Sequence, residues 1–284
     1  MNKSLRVDAH HHVWDLSVRD QPWTDGIPLL CRSFSMFELT PLLQANAIDA
    51  TIVVQAIHSA EETSELLALA HESPVIAGVV GWTDLRAPDL SDNLSLLKEL
   101  PGGDCLVGIR HAAQDEEDDS WLSRPQVIAG LGKVESLGLT YDLLVRHRQI
   151  PSAIEAVKSL PDLRFVLDHF GKPAIAAGEI EPWRAQMFEL ARYENVVVKF
   201  SGLITEADPE HWRVSDLRPY VDVVLSAFGP QRLIFGSDWP VCTLGASYDQ
   251  VINTAGELVA DLNTEEKDSL FGQTAINWYA LDVS

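Results

Sequence analysis

The sequence predicts a single (β/α)8 barrel of the α/β class, and three observations predict it. Eight short runs rich in Val, Ile and Leu alternate with longer segments of helical periodicity. Most of these runs are continuously apolar, as expected for parallel strands that are covered on both faces. The length of 284 residues suits one barrel of roughly 250 residues with extended loops. We therefore predict one domain over residues 1–284.

The predicted strands and helices follow one another without a linker or a repeat. The strands are expected at residues 5–9, 51–56, 75–82, 106–111, 139–145, 164–168, 196–201 and 233–236. The helices are expected at residues 37–45, 63–72, 90–100, 125–137, 150–159, 181–191 and 214–228. Turn residues such as Gly138 and Gly229 precede strands five and eight. An open, doubly wound sheet is the alternative, but no glycine-rich phosphate loop follows the first strand.

Charge and cysteine content limit the classes of partner. The chain has 42 acidic and 21 basic residues, a formal net charge of −21, which disfavours nucleic acid and anionic membranes as partners. Cys31, Cys105 and Cys242 are widely spaced, which fits a reducing compartment. Residues 1–6 lead directly into a strand without an apolar leader segment, so we expect a cytoplasmic protein. A homo-oligomer is possible.

The first strand ends in the sequence Asp8-Ala9-His10-His11-His12. Side chains alternate along an extended chain, so His10 and His12 are expected on one side and His11 on the other. Two imidazoles at the mouth of a barrel provide half of a metal site or two donors for a carbonyl oxygen. A polar strand end that simply faces solvent is the other interpretation.

Two further strand ends carry chemically capable residues. His169 follows the sixth strand, and Asp238 follows the eighth. Strands eight and one are neighbours in a closed barrel, so Asp238 is expected close to His10 and His12. A carboxylate among imidazoles can orient a water molecule and take its proton, or bind a cation. Three strand ends that converge on one mouth predict a functional site.

The sequence resembles the amidohydrolase superfamily, and within it the amidohydrolase-2 branch of metal-dependent hydrolases and sugar lactonases. The resemblance is carried by VDAHHHVWD, VGIRH, FVLDHFGKP, VVVKFSGL and LIFGSDWPV, which begin at residues 7, 107, 165, 196 and 233. It is greatest to lactonases that act on aldonolactones such as L-fuconolactone or L-rhamnonolactone. It implies His10, His12, His169 and Asp238 as catalytic residues and as ligands of a metal ion.

The resemblance also implies limits on the metal. Strand four offers Arg110 and His111 where binuclear relatives have a bridging Lys or Glu, and strand five offers Tyr141-Asp142 where many relatives have a His. One divalent ion, with Zn²⁺ the best candidate, or no metal is therefore expected. A lactone is an activated ester, so His and Arg groups alone could stabilise its oxyanion.

Weaker expectations concern the substrate. Arg110, His111, Gln55, Trp14 and Lys199 are predicted to bind it, and Trp23, Trp183 and Trp239 are further candidates for stacking on a sugar ring. The longest irregular stretch, residues 14–34, follows strand one, and an acidic run, residues 115–119, follows strand four. Both follow the carboxyl ends of strands, where barrel enzymes place substrate loops.

The predicted reaction is hydrolysis of a small lactone to its hydroxy acid, with Asp238 as general base. One alternative is a non-oxidative decarboxylase of aromatic acids on the same metal-binding barrel. A non-catalytic ligand-binding barrel is the other, although such a protein is expected to lose at least one of the three imidazoles or the carboxylate.

Overall fold

The computed structural model describes residues 4–283, and the ends of the predicted domain, residues 1–3 and 284, lie outside it. Eight parallel strands pair in sequence order, which confirms the predicted barrel. The strands are β1 (Val7–His11), β2 (Ala50–Val54), β3 (Ile76–Gly81), β4 (Leu106–His111), β5 (Thr140–Leu143), β6 (Phe165–Leu167), β7 (Val196–Phe200) and β8 (Leu233–Phe235). Each overlaps a predicted strand.

The barrel closes between β8 and β1 just beyond the end of β8. The Asp238 amide donates to the His10 carbonyl over 2.8 Å, and the His12 amide donates to the Trp239 carbonyl over 2.7 Å. The buried carboxylate of Asp8 bridges the same seam, because it accepts from the Ser237 amide at 2.8 Å. Closure of the barrel therefore brings Asp238 beside the two histidines.

Helices surround the barrel and supply most of its core. They are α1 (Met36–Ala45), α2 (Ala60–Glu72), α3 (Leu90–Glu99), α4 (Pro125–Ser136), α5 (Ile150–Ser159), α6 (Trp183–Leu190), α7 (Leu203–Glu206), α8 (Val214–Phe228), α9 (Tyr248–Leu258), α10 (Thr264–Asp268) and α11 (Thr274–Tyr279). Helix α2 begins three residues before the predicted position, because Ser59 caps it by accepting from the Glu62 amide.

Four helices, α7 and α9–α11, were not predicted. Three of them have six residues or fewer, too short for a clear amphipathic period. Helix α11 and the residues after it cover the lower end of the barrel: Ala275, Tyr279 and Leu281 pack with interior strand residues such as Ile52 and Val197. Apolar side chains fill most of this region, but the Tyr279 hydroxyl also donates to the buried Asp142 carboxylate.

The loop after β1 folds over the mouth. Its ends are joined by two backbone hydrogen bonds between Trp14 and Phe34, of 3.0 and 2.8 Å. A short 3-10 turn, Pro22–Thr24, lies at its centre. Within residues 4–283, no helix is both long enough and apolar enough to cross a membrane.

Candidate active site

The first strand directs its histidines as the alternation predicts. His10 and His12 face the mouth, where their Nε2 atoms lie 3.2 Å apart. His11 points away and its Nε2 contacts the Thr51 hydroxyl at 3.0 Å. All three rings are buried. Of these three histidines, only His10 and His12 therefore face a molecule in the mouth.

Backbone and hydroxyl contacts hold the functional rings. His12 Nδ1 donates to the Val54 carbonyl over 2.7 Å, which leaves a lone pair on Nε2. His169 Nδ1 contacts the Ser201 hydroxyl at 2.8 Å, and its ring centre lies 4.5 Å from that of His10. The His169 ring fills the space beside Gly202, where a Cβ atom would lie only 2.6 Å from Nδ1.

Asp238 completes this cluster. Its Oδ1 lies 3.7 Å from Nε2 of both His10 and His12. Its φ angle is +59°, and His169 has a φ of +51°, so both residues adopt the left-handed conformation that costs non-glycine residues free energy. The turns that present these two side chains are held in place against their intrinsic preference.

Burial and charge determine the ionisation of the cluster. Burial lowers the pKa of His12 and lowers that of His169 to about 4, although nearby carboxylates oppose the change. Burial also disfavours an ionised Asp238, but His169, the hydrogen bond with His12 and the charge of Lys172 outweigh it and hold the pKa of Asp238 below its ordinary value. Neutral imidazoles and an ionised carboxylate are therefore the stable forms near pH 7.

These donors fit a single divalent cation. His10, His12 and Asp238 each offer one atom to a common point, with separations of 3.2, 3.7 and 3.7 Å. The ligands of a tetrahedral Zn²⁺ are about 3.4 Å apart. A second group consists of His10, Asp168 and His169, whose potential ligand atoms lie within 4.8 Å of one another. Its carboxylate already contacts two cationic side chains, so the first group is the better site.

Asp168 is a central residue to which the sequence pattern alone assigned no role. Its Oδ2 accepts from Arg110 at 3.0 Å, its Oδ1 lies 3.0 Å from Lys199 Nζ, and His10 Nδ1 is 3.6 Å away. Burial opposes ionisation of Asp168, but Lys199, His10 and Arg110 hold its pKa well below the usual range. Asp168 thus joins the ring of His10 to a buried charge network.

Lys199 belongs to this network and not to the substrate cavity. Its fully buried ammonium group also contacts Asp142 at 2.6 Å, and Asp142 accepts from the Tyr279 hydroxyl. This position contradicts the predicted contact between Lys199 and a substrate. The sequence placed Lys199 correctly near the end of β7, but it could not show that two carboxylates lie inside the barrel beside it.

A cavity of about 400 Å³ opens above the cluster. It is lined by His12, His169, Asp238, Arg110, Gln55, Trp23, Gln114, Arg146, Lys172 and Glu206, among others. Of these, Arg146, Lys172, Glu206 and Gln114 come from segments that continue beyond strand ends, and they were not among the predicted site residues. Polar residues are common in loops, so the sequence around these four residues gives no pattern that would identify them as part of a site.

Gln55 and Arg110 form one wall of this cavity. Arg110 Nη2 donates to the Gln55 carbonyl, and Gln55 Nε2 donates to the Arg110 carbonyl over 3.3 Å. Gln55 Oε1 is buried and has no hydrogen-bond partner among the described residues. The amide oxygen of Gln55 is therefore an acceptor that lacks a donor, on a residue that lines the cavity.

Two other predicted substrate contacts lie outside the cavity lining. His111 stacks between His58 and Trp121, with ring centres 4.1 Å from each, and its Nε2 contacts Glu116. Trp14 packs behind the loop, where its indole donates to the Arg32 carbonyl.

Of the other candidate tryptophans, Trp23 lines the cavity, whereas Trp183 and Trp239 are buried in packing. Sequence position alone could not distinguish these environments.

Comparison with known proteins agrees with this architecture. The amidohydrolase family model matches residues 7–281. An L-fucono-1,5-lactonase from Burkholderia multivorans is 42% identical over 98% of this chain and 97% of its own, and one from Burkholderia ambifaria is 36% identical over the same shares. A crystal structure of a Burkholderia multivorans amidohydrolase with bound zinc superposes with a TM-score of 0.92 at 40% identity, covering 98% of this chain and all of that one.

Proposed function

Because this chain belongs to the amidohydrolase family, we propose that it is a lactonase that opens a small sugar lactone to its hydroxy acid. L-fucono-1,5-lactone is the first substrate to test, since full-length relatives with 42% and 36% identity carry the name L-fucono-1,5-lactonase. The observation that carries the proposal is the Asp238 carboxyl group within 3.7 Å of two imidazoles at the base of a cavity.

In the proposed reaction, Asp238 acts as the general base. A water molecule attacks the lactone carbonyl carbon while its proton passes to the Asp238 carboxylate. The tetrahedral intermediate then expels the ring oxygen, which takes that proton from Asp238. The product is the opened hydroxy acid, and Asp238 returns to its carboxylate form for the next turnover.

The intermediate carries negative charge on the former carbonyl oxygen, and Arg110 supplies a positive group close to it. Arg110 Nη1 lies 3.3 Å from His10 Nε2, so its guanidinium lies beside the imidazoles and can stabilise an oxyanion there. A divalent cation held by His10, His12 and Asp238, with His169 nearby, would polarise the carbonyl as a Lewis acid. We propose Zn²⁺ as that cation, because the nitrogen and oxygen donors suit it.

The cavity suits a polyhydroxylated substrate. Among the lining cations, Arg110 is paired with Asp168 and Lys172 lies 3.5 Å from Glu206, whereas Arg146 has no ion pair among the described residues. The free amide oxygen of Gln55 suits a sugar hydroxyl, and Trp23 offers an apolar face for the ring.

The test is a panel of 1,5- and 1,4-aldonolactones followed by proton release in weak buffer, with the uncatalysed rate subtracted. We expect saturable turnover with L-fucono-1,5-lactone or a close stereoisomer. Absence of turnover across the panel would contradict the proposal. Carbon dioxide release from an aromatic acid would favour the decarboxylase alternative, and sugar binding without turnover would favour the non-catalytic one.

A further inference from the structure

Glu62 is a buried carboxylate that lies outside the cavity lining, on the first turn of α2. It is 4% exposed. Its two oxygens accept from the Ala56 amide, each at 3.1 Å, and Oε2 also accepts from the Ile57 amide at 3.0 Å. These amides belong to the segment that leaves β2 immediately after Gln55. One side chain thus fixes the two peptide groups that follow a residue of the cavity wall.

An ionised side chain suits this position, because every group that it contacts there is a donor. Burial raises the pKa of Glu62 to about 7, while the Ile57 and Ala56 amides and the charges of Arg110 and Arg19 oppose the increase. Arg110 faces it from β4 and Arg19 from the loop after β1. A neutral carboxyl group would present a hydrogen towards backbone N–H groups and lose part of this binding.

The contacts on either side of Gln55 show what Glu62 controls. Up to the Gln55 amide, the backbone is held by the sheet, since that amide donates to the Val80 carbonyl over 2.9 Å. Beyond Gln55, Glu62 holds the next two amides. The direction of the Gln55 side chain depends on both constraints, whereas His12 and Asp238 are held by contacts with β2 and with each other.

We infer that Glu62 is a positioning residue for substrate binding: through the Ala56 and Ile57 amides it fixes the Gln55 amide oxygen at the cavity wall. This inference rests on the proposed lactonase function and names a residue that determines affinity without touching the substrate. The catalytic carboxylate and the imidazoles are held by other contacts, so the loss of Glu62 should change KM more than kcat. A small effect on kcat is expected, because Arg110 donates to the Gln55 carbonyl, which belongs to the same peptide group as the Ala56 amide.

The central variant is Glu62→Gln, and the matched control is Glu61→Gln. Glutamine at position 62 keeps the volume but offers one acceptor oxygen and a donor that opposes an amide N–H. We expect KM for the lactone to rise about tenfold, as for the loss of a buried hydrogen bond to substrate, with kcat within about threefold. Glu61 is on the same turn but contacts only the Ser59 hydroxyl among the described hydrogen bonds, so Glu61→Gln should leave KM unchanged.

A double-mutant cycle separates positioning from general damage. In a Gln55→Leu background, Glu62→Gln should raise KM by less than about twofold, because the group that it positions is gone. In the single variant, amide exchange measured by NMR should accelerate at residues 56 and 57 but not at residue 55. If protonation of Glu62 weakens its contacts with these amides, wild-type KM should rise below about pH 7. This pH dependence should be absent from Glu62→Gln, whose KM should be high at every pH.

The outcomes also separate this inference from the proposed function. If the wild type opens no lactone, the proposed function fails, and faster exchange at residues 56 and 57 in Glu62→Gln would still support the structural role. If the wild type is active, three results would overturn the inference: an unchanged KM in Glu62→Gln, an undiminished effect in the Gln55→Leu background, or an equal loss of kcat.

Discussion

The two sides of the cavity are built in different ways. On the side formed by β1, β6 and β8, the residues beyond the strands are conformationally strained: His169, Phe170, Lys172 and Asp238 all have positive φ angles. On the side formed by β2 and β4, the described residues 55–58 and 110–116 have no positive φ angle. There Gln55 exchanges two hydrogen bonds with Arg110, and Glu62 accepts from the amides of Ala56 and Ile57.

This difference indicates a division of labour. Strained turns persist where the surrounding structure holds them, and they hold a reactive group within narrow limits. An unstrained wall with a free amide oxygen is suited to binding hydroxyl groups. Substitutions on the strained side should therefore reduce kcat, whereas loss of the Gln55 amide oxygen on the unstrained wall should raise KM.

The largest effect is expected for Asp238→Asn. The amide cannot take a proton from water, so kcat should fall by about 1000-fold or more while KM changes little. Steady-state kinetics and a thermal unfolding curve would measure this. Asp115→Asn removes another carboxylate that lines the cavity and should retain activity. An Asp238→Asn variant with normal kcat would exclude the general-base role.

Zinc affinity should differ between variants of two adjacent histidines, His11 and His12. His12→Asn removes a donor atom from the candidate ion site, so zinc affinity should fall by more than about 100-fold. His11→Asn is the control, because His11 faces Thr51 and not the site. Competition with a chromophoric chelator would measure both. Equal affinities in the two variants would show that zinc binds elsewhere.

Gly202→Ala should disturb His169 through a steric clash. A methyl group there would lie 2.6 Å from His169 Nδ1, and displacement of the ring by about 1 Å can cost 100-fold in rate. We expect kcat to fall by about 10- to 100-fold. Gly178 has the same φ of +67°, but a Cβ atom added there would meet no atom within 4 Å. Gly178→Ala therefore reproduces the backbone strain alone and should keep full activity.

On the unstrained wall, Gln55→Leu should act on binding. Leucine keeps the approximate volume but removes the amide oxygen, so KM should rise about tenfold with kcat nearly constant. If one substrate hydroxyl contacts Gln55, a lactone that lacks this hydroxyl should give similar KM values in the wild type and in Gln55→Leu. A large loss of kcat in Gln55→Leu would end the proposed division between the two sides.

The last effect concerns stability in acid and not catalysis. His11 and His169 have pKa values lowered by burial to about 3 and about 4, so the folded state excludes protons that the unfolded chain binds below pH 6.5. Each such group costs about 1.4 kcal/mol of stability per pH unit below that value. Denaturant unfolding between pH 7 and pH 5 should show this slope, and His11→Asn should reduce it. An equal slope in wild type and variant would contradict the neutral state of His11.

The sequence by itself determined the barrel and the residues that meet at its mouth. Continuous apolar runs specify parallel strands covered on both faces, and closure of eight such strands brings their carboxyl ends together. Alternation along β1 was sufficient to separate His11 from His10 and His12. These features depend on local pattern and on topology, both of which can be read along the chain.

Only the tertiary structure decided which polar groups face the cavity. Lys199 and Trp14 were expected there, but Lys199 pairs with Asp142 and Asp168 inside the barrel and Trp14 packs behind its loop. The contacts of Asp168 and Glu62 also became visible only in the fold. The reason is physical: the environment of a side chain depends on residues that are distant in sequence, and burial and pairing set its charge and its contacts more than its own position does.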